Sequence, residues 1–168
     1  MALYQIFNGP LPTTAAQAVV TTGTAIKTLL QVKGIAALTF KVVEWGVSFD
    51  GSAAATPIKV ELVETGTVFA TVTASVAADI VALDAQALGV VSTTYFSVGT
   101  AATGYTATAE GTITATREFD TQFIAPTNQY VKQFPLGREP TFKFNEFLRI
   151  RVTAGTAVNA YCYVVIEV

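Results

Sequence analysis

Along most of the chain hydrophobic and polar positions alternate with a period of two, the signature of half-buried β-strands. The longest such run covers residues 38–50, where Val43, Trp45, Val47 and Phe49 alternate with Glu44, Gly46 and Ser48. Upstream, Leu38, Phe40 and Val42 occupy the opposite parity, and a parity switch inside one apolar run predicts a β-bulge or bend near residues 42–44. Asp50-Gly51-Ser52 supplies a turn, and Pro57 opens a second strand with Ile58, Val60 and Leu62 on one face and Lys59 and Glu61 on the other. Two strands stand out near the end of the chain. Residues 147–153 place Leu148, Ile150 and Val152 inward and Arg149 and Arg151 outward, and residues 158–168 close the sequence.

Other segments are weaker. Residues 25–32 read as strand, although Ile26, Leu29 and Leu30 would also suit a short helix. Residues 69–76 and 106–119 alternate as strands, and short extended pieces run from 121 to 136 around Ala125-Pro126-Thr127-Asn128. Residues 77–89 alone have helical composition and predict an irregular loop or helical turn capped by Gly89. At the start, Pro10 and Pro12 interrupt ladder pairing, so residues 1–14 read as an extended N-terminal arm whose Tyr4 and Phe7 dock on a neighbour. About eight Thr-, Val- and Ala-rich strands separated by Gly, Pro and Asn turns predict an all-β fold. It is an antiparallel two-sheet, jelly-roll-like sandwich over residues 15–168, with a simple immunoglobulin-like sandwich second.

Composition sharpens this picture. Hydrophobic residues make up 51% and charged residues 13%, about half the charged share of an ordinary soluble domain, and mean hydropathy is +0.49. The most apolar stretch, residues 72–91, is broken by Asp79 and Asp84, too polar for a spanning helix. Too few ten-residue strands exist for a lipid-facing barrel, and the N-terminus lacks a basic secretory start. Burial against other protein is the expectation that remains. On the last strand Ala160, Cys162, Val164 and Ile166 form one apolar face and Tyr161, Tyr163 and Val165 the other. A strand apolar on both faces is covered on both sides, the second side by a loop of the same chain or by a neighbouring subunit. Tyr130, Phe134, Phe142 and Phe144 lie among Pro126, Pro135 and Pro140, either in a loop over one end of the sandwich or on a contact surface.

Candidate chemistry is sparse. There is no histidine, which removes the usual general base, catalytic triad and most transition-metal sites. Cys162, mid-strand among aliphatic residues, reads as an inert core thiol. The carboxylates sit on strand faces or in turns. Asp79 and Asp84 share one loop but belong to no EF-hand-like pattern. The glycines at 99 and 104 lack the Gly-Lys-Ser/Thr ending of a phosphate loop. No cofactor, metal or enzymatic activity is expected. A net charge of −2 with no basic run argues against nucleic acid.

Four segments carry a resemblance: residues 44–63 (EWGVSFDGSAAATPIKVELV), 103–110 (TGYTATAE), 125–140 (APTNQYVKQFPLGREP) and 148–154 (LRIRVTA). They resemble small virion structural proteins of tailed bacteriophages, the capsid decoration (cement) or minor capsid proteins. That resemblance implies a jelly-roll subunit, usually a homotrimer, made in the host cytoplasm. It would sit on the outer capsid surface and clamp neighbouring capsomers of the major capsid protein, with no catalytic residue. The interface residues expected on this reading are Tyr4, Phe7, Tyr130, Phe134, Phe142, Phe144, Tyr161 and Tyr163. A carbohydrate-binding β-sandwich module of a phage fibre or tail tip is the alternative, with Asn128-Gln129-Tyr130 its best cluster.

Overall fold

The protein is described by a computed structural model that covers all residues except 1, 36, 53 and 85–91. The described residues form thirteen strands in two antiparallel sheets packed face to face. In chain order they are β1 (Leu3–Phe7), β2 (Val20–Thr21), β3 (Ile26–Lys33), β4 (Thr39–Phe49), β5 (Ile58–Glu64), β6 (Thr71–Ala74) and β7 (Ile80–Ala82), followed by β8 (Gly104–Ala109), β9 (Arg117–Ile124), β10 (Gln129–Gln133), β11 (Thr141–Lys143), β12 (Phe147–Thr153) and β13 (Asn159–Glu167). The larger sheet runs β10-β4-β13-β1-β7, with β11 also pairing β4 and β2 pairing β13; the smaller runs β6-β8-β3-β12-β5-β9.

The strands follow from the alternation. Val42 pairs with Ile166 and Glu44 with Val165, so Val43 is an extra residue opposite β13. This is the bulge that the parity switch predicts, and it lets Phe40 and Val42 on one side and Trp45, Val47 and Phe49 on the other all reach one core. A second irregularity on β3 sets Leu30 opposite Ile150 and Thr28 opposite Arg151, so the adjacent Leu29 and Leu30 are both core residues. From the smaller sheet Ile58, Val60, Leu62, Leu148, Ile150 and Val152 meet Ala160, Cys162, Val164 and Ile166 from the larger.

Three expectations change. Residues 3–7 are not a free arm but an interior strand, β1, between β13 and β7, with Tyr4 and Ile6 fully buried. Pro10 and Pro12 lie past its end, so they do not interrupt its ladder. Residues 106–119 are not one strand. The chain leaves β8 at Ala109, turns at Gly111 with φ +70°, and enters β9 only at Arg117. The break is fixed by Glu110, whose carboxylate accepts the Thr28 N–H and hydroxyl, each at 2.6 Å. Residues 77–89 begin with a 3-10 turn (Ala77–Asp79) but continue into β7, and Gly89 lies outside the described residues. Strand number also exceeds the eight expected, because two- to five-residue strands such as β2, β7 and β11 carry too little alternation to read from sequence.

Asn8 continues the β1–β13 ladder by its side chain. Its backbone N–H donates to the Cys162 carbonyl (3.0 Å), Nδ2 donates to the Ala160 carbonyl (3.1 Å), and Oδ1 accepts the Cys162 N–H (2.9 Å), all within a fully buried residue. Asn8→Ala strands a donor and an acceptor on β13 and is expected to cost about 2 kcal/mol. Urea unfolding should show a lower midpoint at unchanged slope; an unchanged midpoint would deny Asn8 this role.

Candidate functional site: the outer face of the larger sheet

The two sheets differ in what covers their outer faces. On the smaller sheet Arg149 points away from the core, as its parity requires, yet it is fully buried. Its Nη1 donates to the Glu110 carbonyl (3.0 Å) and carboxylate (3.3 Å), and Nη2 donates to the Val68 carbonyl. Burial pulls its guanidinium down to about 10, opposed by Glu110, so it is cationic at neutral pH. Beside it Gln31 Nε2 donates to the carbonyls of Ala70 (3.2 Å) and Ala102 (2.7 Å), and its Oε1 accepts the Ala70 N–H (2.7 Å). Arg151 pairs with Glu61 at 3.5 Å. This face is closed by its own chain, and the solvated arginines expected from the alternation are packed instead.

The outer face of the larger sheet is built differently. Register places Tyr161 beside Ser48 and Gln129, and Tyr163 beside Gly46, Val131 and Phe7. Phe7 packs against both tyrosines, with ring centroids 5.6 Å from Tyr161 and 6.1 Å from Tyr163. The Tyr163 ring lies across Gly46, where a Cβ would come within 2.6 Å of it, so glycine at this position permits the flat aromatic ledge. The Tyr163 hydroxyl donates to Glu44 Oε1 (2.5 Å), and the Tyr161 hydroxyl donates to Gln17 Oε1 (3.0 Å). Burial, reinforced by the Glu44 carboxylate, holds the Tyr163 phenol far above its usual range, so it remains a neutral donor. A recess of about 150 Å³ opens between the tyrosines and β10, lined by Val47, Ser48, Gln129, Val131, Tyr161 and Tyr163. Further along, Lys41 and Glu167 pair at 2.8 Å. Charge on this face is therefore paired or hydrogen-bonded, while half-buried rings and amides face outward.

Of the eight expected interface residues, the structure brings three together here: Phe7, Tyr161 and Tyr163. Two do not belong to any surface. Tyr4 sits in the core with its ring 5.5 Å from Phe96, and Phe142 stacks on Phe40 at 5.1 Å; both are fully buried. The proline-rich segment containing Phe142 is held to the sheet through β11, whose pairing with β4 turns that ring inward. Phe134 is half-buried under Lys132. Phe144 is exposed on the turn between β11 and β12. The Asn145 N–H bond to Gly34 (2.8 Å) ties that turn to the β3–β4 turn, which carries exposed Ile35 and Leu38. Sequence reasoning missed Val131, Phe123 (73% exposed) and Leu136 (94% exposed). Val131 was legible from the alternation Gln129-Tyr130-Val131-Lys132-Gln133. Leu136 was not, since it occupies the tip of a turn closed by the Arg138 N–H to Pro135 carbonyl bond (2.9 Å) and by Gly137 at φ +79°.

Tyr130 works inside the fold. Its hydroxyl donates to Asp120 Oδ2 (2.9 Å), which also accepts Trp45 Nε1 (3.2 Å), while Oδ1 accepts Gln122 Nε2 (3.0 Å) and faces Lys132 Nζ (3.1 Å). Asp120 is on β9 and the others reach it from β4, β9 and β10, so one buried carboxylate joins the margins of both sheets. Burial and Asp120 push the Tyr130 phenol up to about 12. Cys162 is fully buried and its thiol is pushed up by that burial, so it is no nucleophile at neutral pH. The Asp79 carboxylate accepts the N–H groups of Val76 (2.8 Å) and Leu11 (3.1 Å). Among the described residues no group of three His, Cys, Asp or Glu side chains is placed to hold a metal ion.

Burial alone would raise the Asp120 carboxyl, but its bonds from Gln122, Tyr130 and Lys132 outweigh that and hold it below the ordinary carboxylate range. The linked stability is complete above the unfolded-state value, about 3.9, and fades as pH falls through the lower folded value. Urea midpoints measured in steps below about pH 4 should fall more steeply for the wild type than for Asp120→Asn, which has no carboxyl to titrate. Equal slopes would remove Asp120 from the acid response. Comparisons with protein families, with curated proteins and with solved structures find no match to this chain.

Proposed function

We propose that the chain is a non-enzymatic virion structural protein, a capsid decoration subunit that binds the major capsid protein on the outer shell through the outer face of its larger sheet. The observation that carries this reading is the ledge of Phe7, Tyr161 and Tyr163, with its neighbouring charges paired or hydrogen-bonded. Aromatic residues at low local charge are the composition of interface centres, and tyrosine is among the residues that most often dominate binding energy. The resemblance of residues 44–63, 103–110, 125–140 and 148–154 to phage decoration proteins supports the same assignment. Jelly-roll character is supported by β12, which, late in the chain, inserts between β3 and β5.

The mechanism is thermodynamic. A subunit that binds assembled capsomers and not dissociated ones stabilises the shell by mass action, and several simultaneous contacts from one oligomer multiply the effect. The surface is 7867 Å², close to the roughly 7,900 Å² of an ordinary folded monomer of this mass. The chain is thus as compact as an ordinary monomer, and contact falls to local features such as the ledge, Leu136 and the Ile35–Leu38–Phe144 end.

A second reading is favoured by one observation. The tyrosine rings stand beside the amides of Gln17 and Gln129, an arrangement that also suits sugar binding. Purified protein added to undecorated shells should raise their melting temperature. Tyr161→Ala with Phe7→Ala should weaken shell binding about thirtyfold, the loss of about 2 kcal/mol expected of an interface centre. Unchanged shell melting with the wild type would overturn the decoration reading. Glycan-array binding that disappears in the same double variant would put the sugar reading in its place.

A further inference from the structure

We propose that β10 is a self-pairing edge: two copies of the chain join β10 to β10 antiparallel about a two-fold axis through Val131, fusing their larger sheets. The pairing is made by the backbone of β10 and is independent of what the aromatic ledge binds.

β10 ends the larger sheet, with β4 on one side only. The Phe134 N–H donates to the Val43 carbonyl (2.9 Å), and the Phe49 N–H donates to the Asn128 carbonyl (3.2 Å). These bonds bracket the pairs Gln133–Glu44 and Gln129–Ser48 as the non-bonded pairs of the ladder. The bonded pairs are then Tyr130–Val47 and Lys132–Trp45. It follows that the backbone N–H and C=O groups of Gln129, Val131 and Gln133 point away from β4. Among the described residues none of them has a hydrogen-bond partner, and all three residues are exposed, Val131 at 53%.

Edge strands are normally blunted by proline, a bulge, charged side chains (lysine above all) or a covering segment. β10 contains no proline, keeps unbroken register with β4 over its whole length, and has its one charge, Lys132, committed to Asp120 at 3.1 Å. The edge at the margin of the other sheet is blunted. β9 slips register opposite Leu62 and Val63 and carries Arg117 and Glu118 at that end.

The strand also complements itself. With Val131 on the axis, Gln129 faces Gln133 of the second copy, Val131 faces Val131, and each of these pairs exchanges two backbone bonds. Tyr130 faces Lys132 of the second copy, an aromatic ring opposite an ammonium. No like charges meet. Such a contact is isologous and closes at two copies, unlike the homotrimer that the resemblance implies, which would need two different surfaces.

The test is sedimentation or light scattering of the full chain across a dilution series. The wild type should show a monomer–dimer equilibrium. Val131→Pro deletes the N–H on the axis at an outward edge position where proline is tolerated, and Val131→Lys sets two ammonium groups face to face. Each should weaken self-association at least about tenfold, a change of about 1.4 kcal/mol, with cooperative thermal unfolding retained in at least the lysine variant. Val131→Cys should form a disulfide-linked dimer on oxidation, because directly opposed bonded positions lie about 5.5 Å apart between Cα atoms, within disulfide reach. The native Cys162 is buried and does not compete. A wild type monomeric at every concentration, a trimeric mass, or a dimer indifferent to both substitutions would overturn the proposal. A trimer that stabilises shells would do so while leaving the decoration reading standing. Val131 variants that become monomeric yet still bind shells would uphold the β10 pairing and separate it from the decoration reading.

Discussion

The structure depends on β13 being apolar on both of its faces. Its inner residues, Ala160, Cys162, Val164 and Ile166, are fully or nearly fully buried at the centre of the core. Its outer residues are the half-buried Tyr161 and Tyr163 and the buried Val165, in the middle of the outer sheet face. Because β13 lies between β4 and β1, both neighbours are pinned by it, and β2 is added at one end. Removing this strand would leave β1 and β4 unpaired along their longest shared partner and would open the core at the same time. Side chains that build the interior and side chains of the outer face thus alternate along a single backbone.

The contrast between the two sheets explains where the low charge content goes. In the smaller sheet, Arg149, Gln31, Glu61 and Arg151 occupy the outer face; backbone carbonyls from Val68, Ala70 and Ala102 are brought over to Arg149 and Gln31, and Arg151 pairs with Glu61. A buried guanidinium is costly unless paired and hydrogen-bonded; Glu110 and the Val68 carbonyl meet both Nη groups of Arg149, while its Nε has no partner. Covering that face uses the turns around residues 66–70 and 110–116. Among the described residues, Tyr161 and Tyr163 of the larger sheet meet only Gln17, Glu44 and Phe7 as side-chain partners in hydrogen bonds and ring contacts, with no comparable cover of backbone. The asymmetry makes one face structural and leaves the other available.

Sequence pattern carried much of this. The alternation in β4, β5, β12 and β13 identifies both inner faces correctly, and the opposite parities of Val42 and Trp45 locate the bulge. What the pattern does not carry is long-range cover. Nothing near Arg149 in sequence says that Val68 and Glu110 will enclose it. Nothing near Tyr4 says that β13 and β7 will flank it; two later prolines instead suggest a free arm. Phe142 and Phe144 are two residues apart yet end in opposite environments, because the first belongs to a strand and the second to a turn. The candidate surface was half legible for the same reason: parity finds Tyr161 and Tyr163, but their union with Phe7 requires the register between the two chain ends.

The extra residue at Val43 gives β4 two phases. Before it, even-numbered side chains enter the core; after it, odd-numbered ones do. Gaining or losing one residue between Trp45 and Phe49 would rotate part of that run outward. Val43 and Glu44 are adjacent outward positions, and excising either one leaves every remaining side chain on its present face. The Val43 carbonyl is also the acceptor that anchors Phe134, so the price of regularising the strand by removing Val43 is a loosened end to β10. The irregularity thereby acts as a spacer, matching the phase of the sheet to the place where its outermost strand must stop.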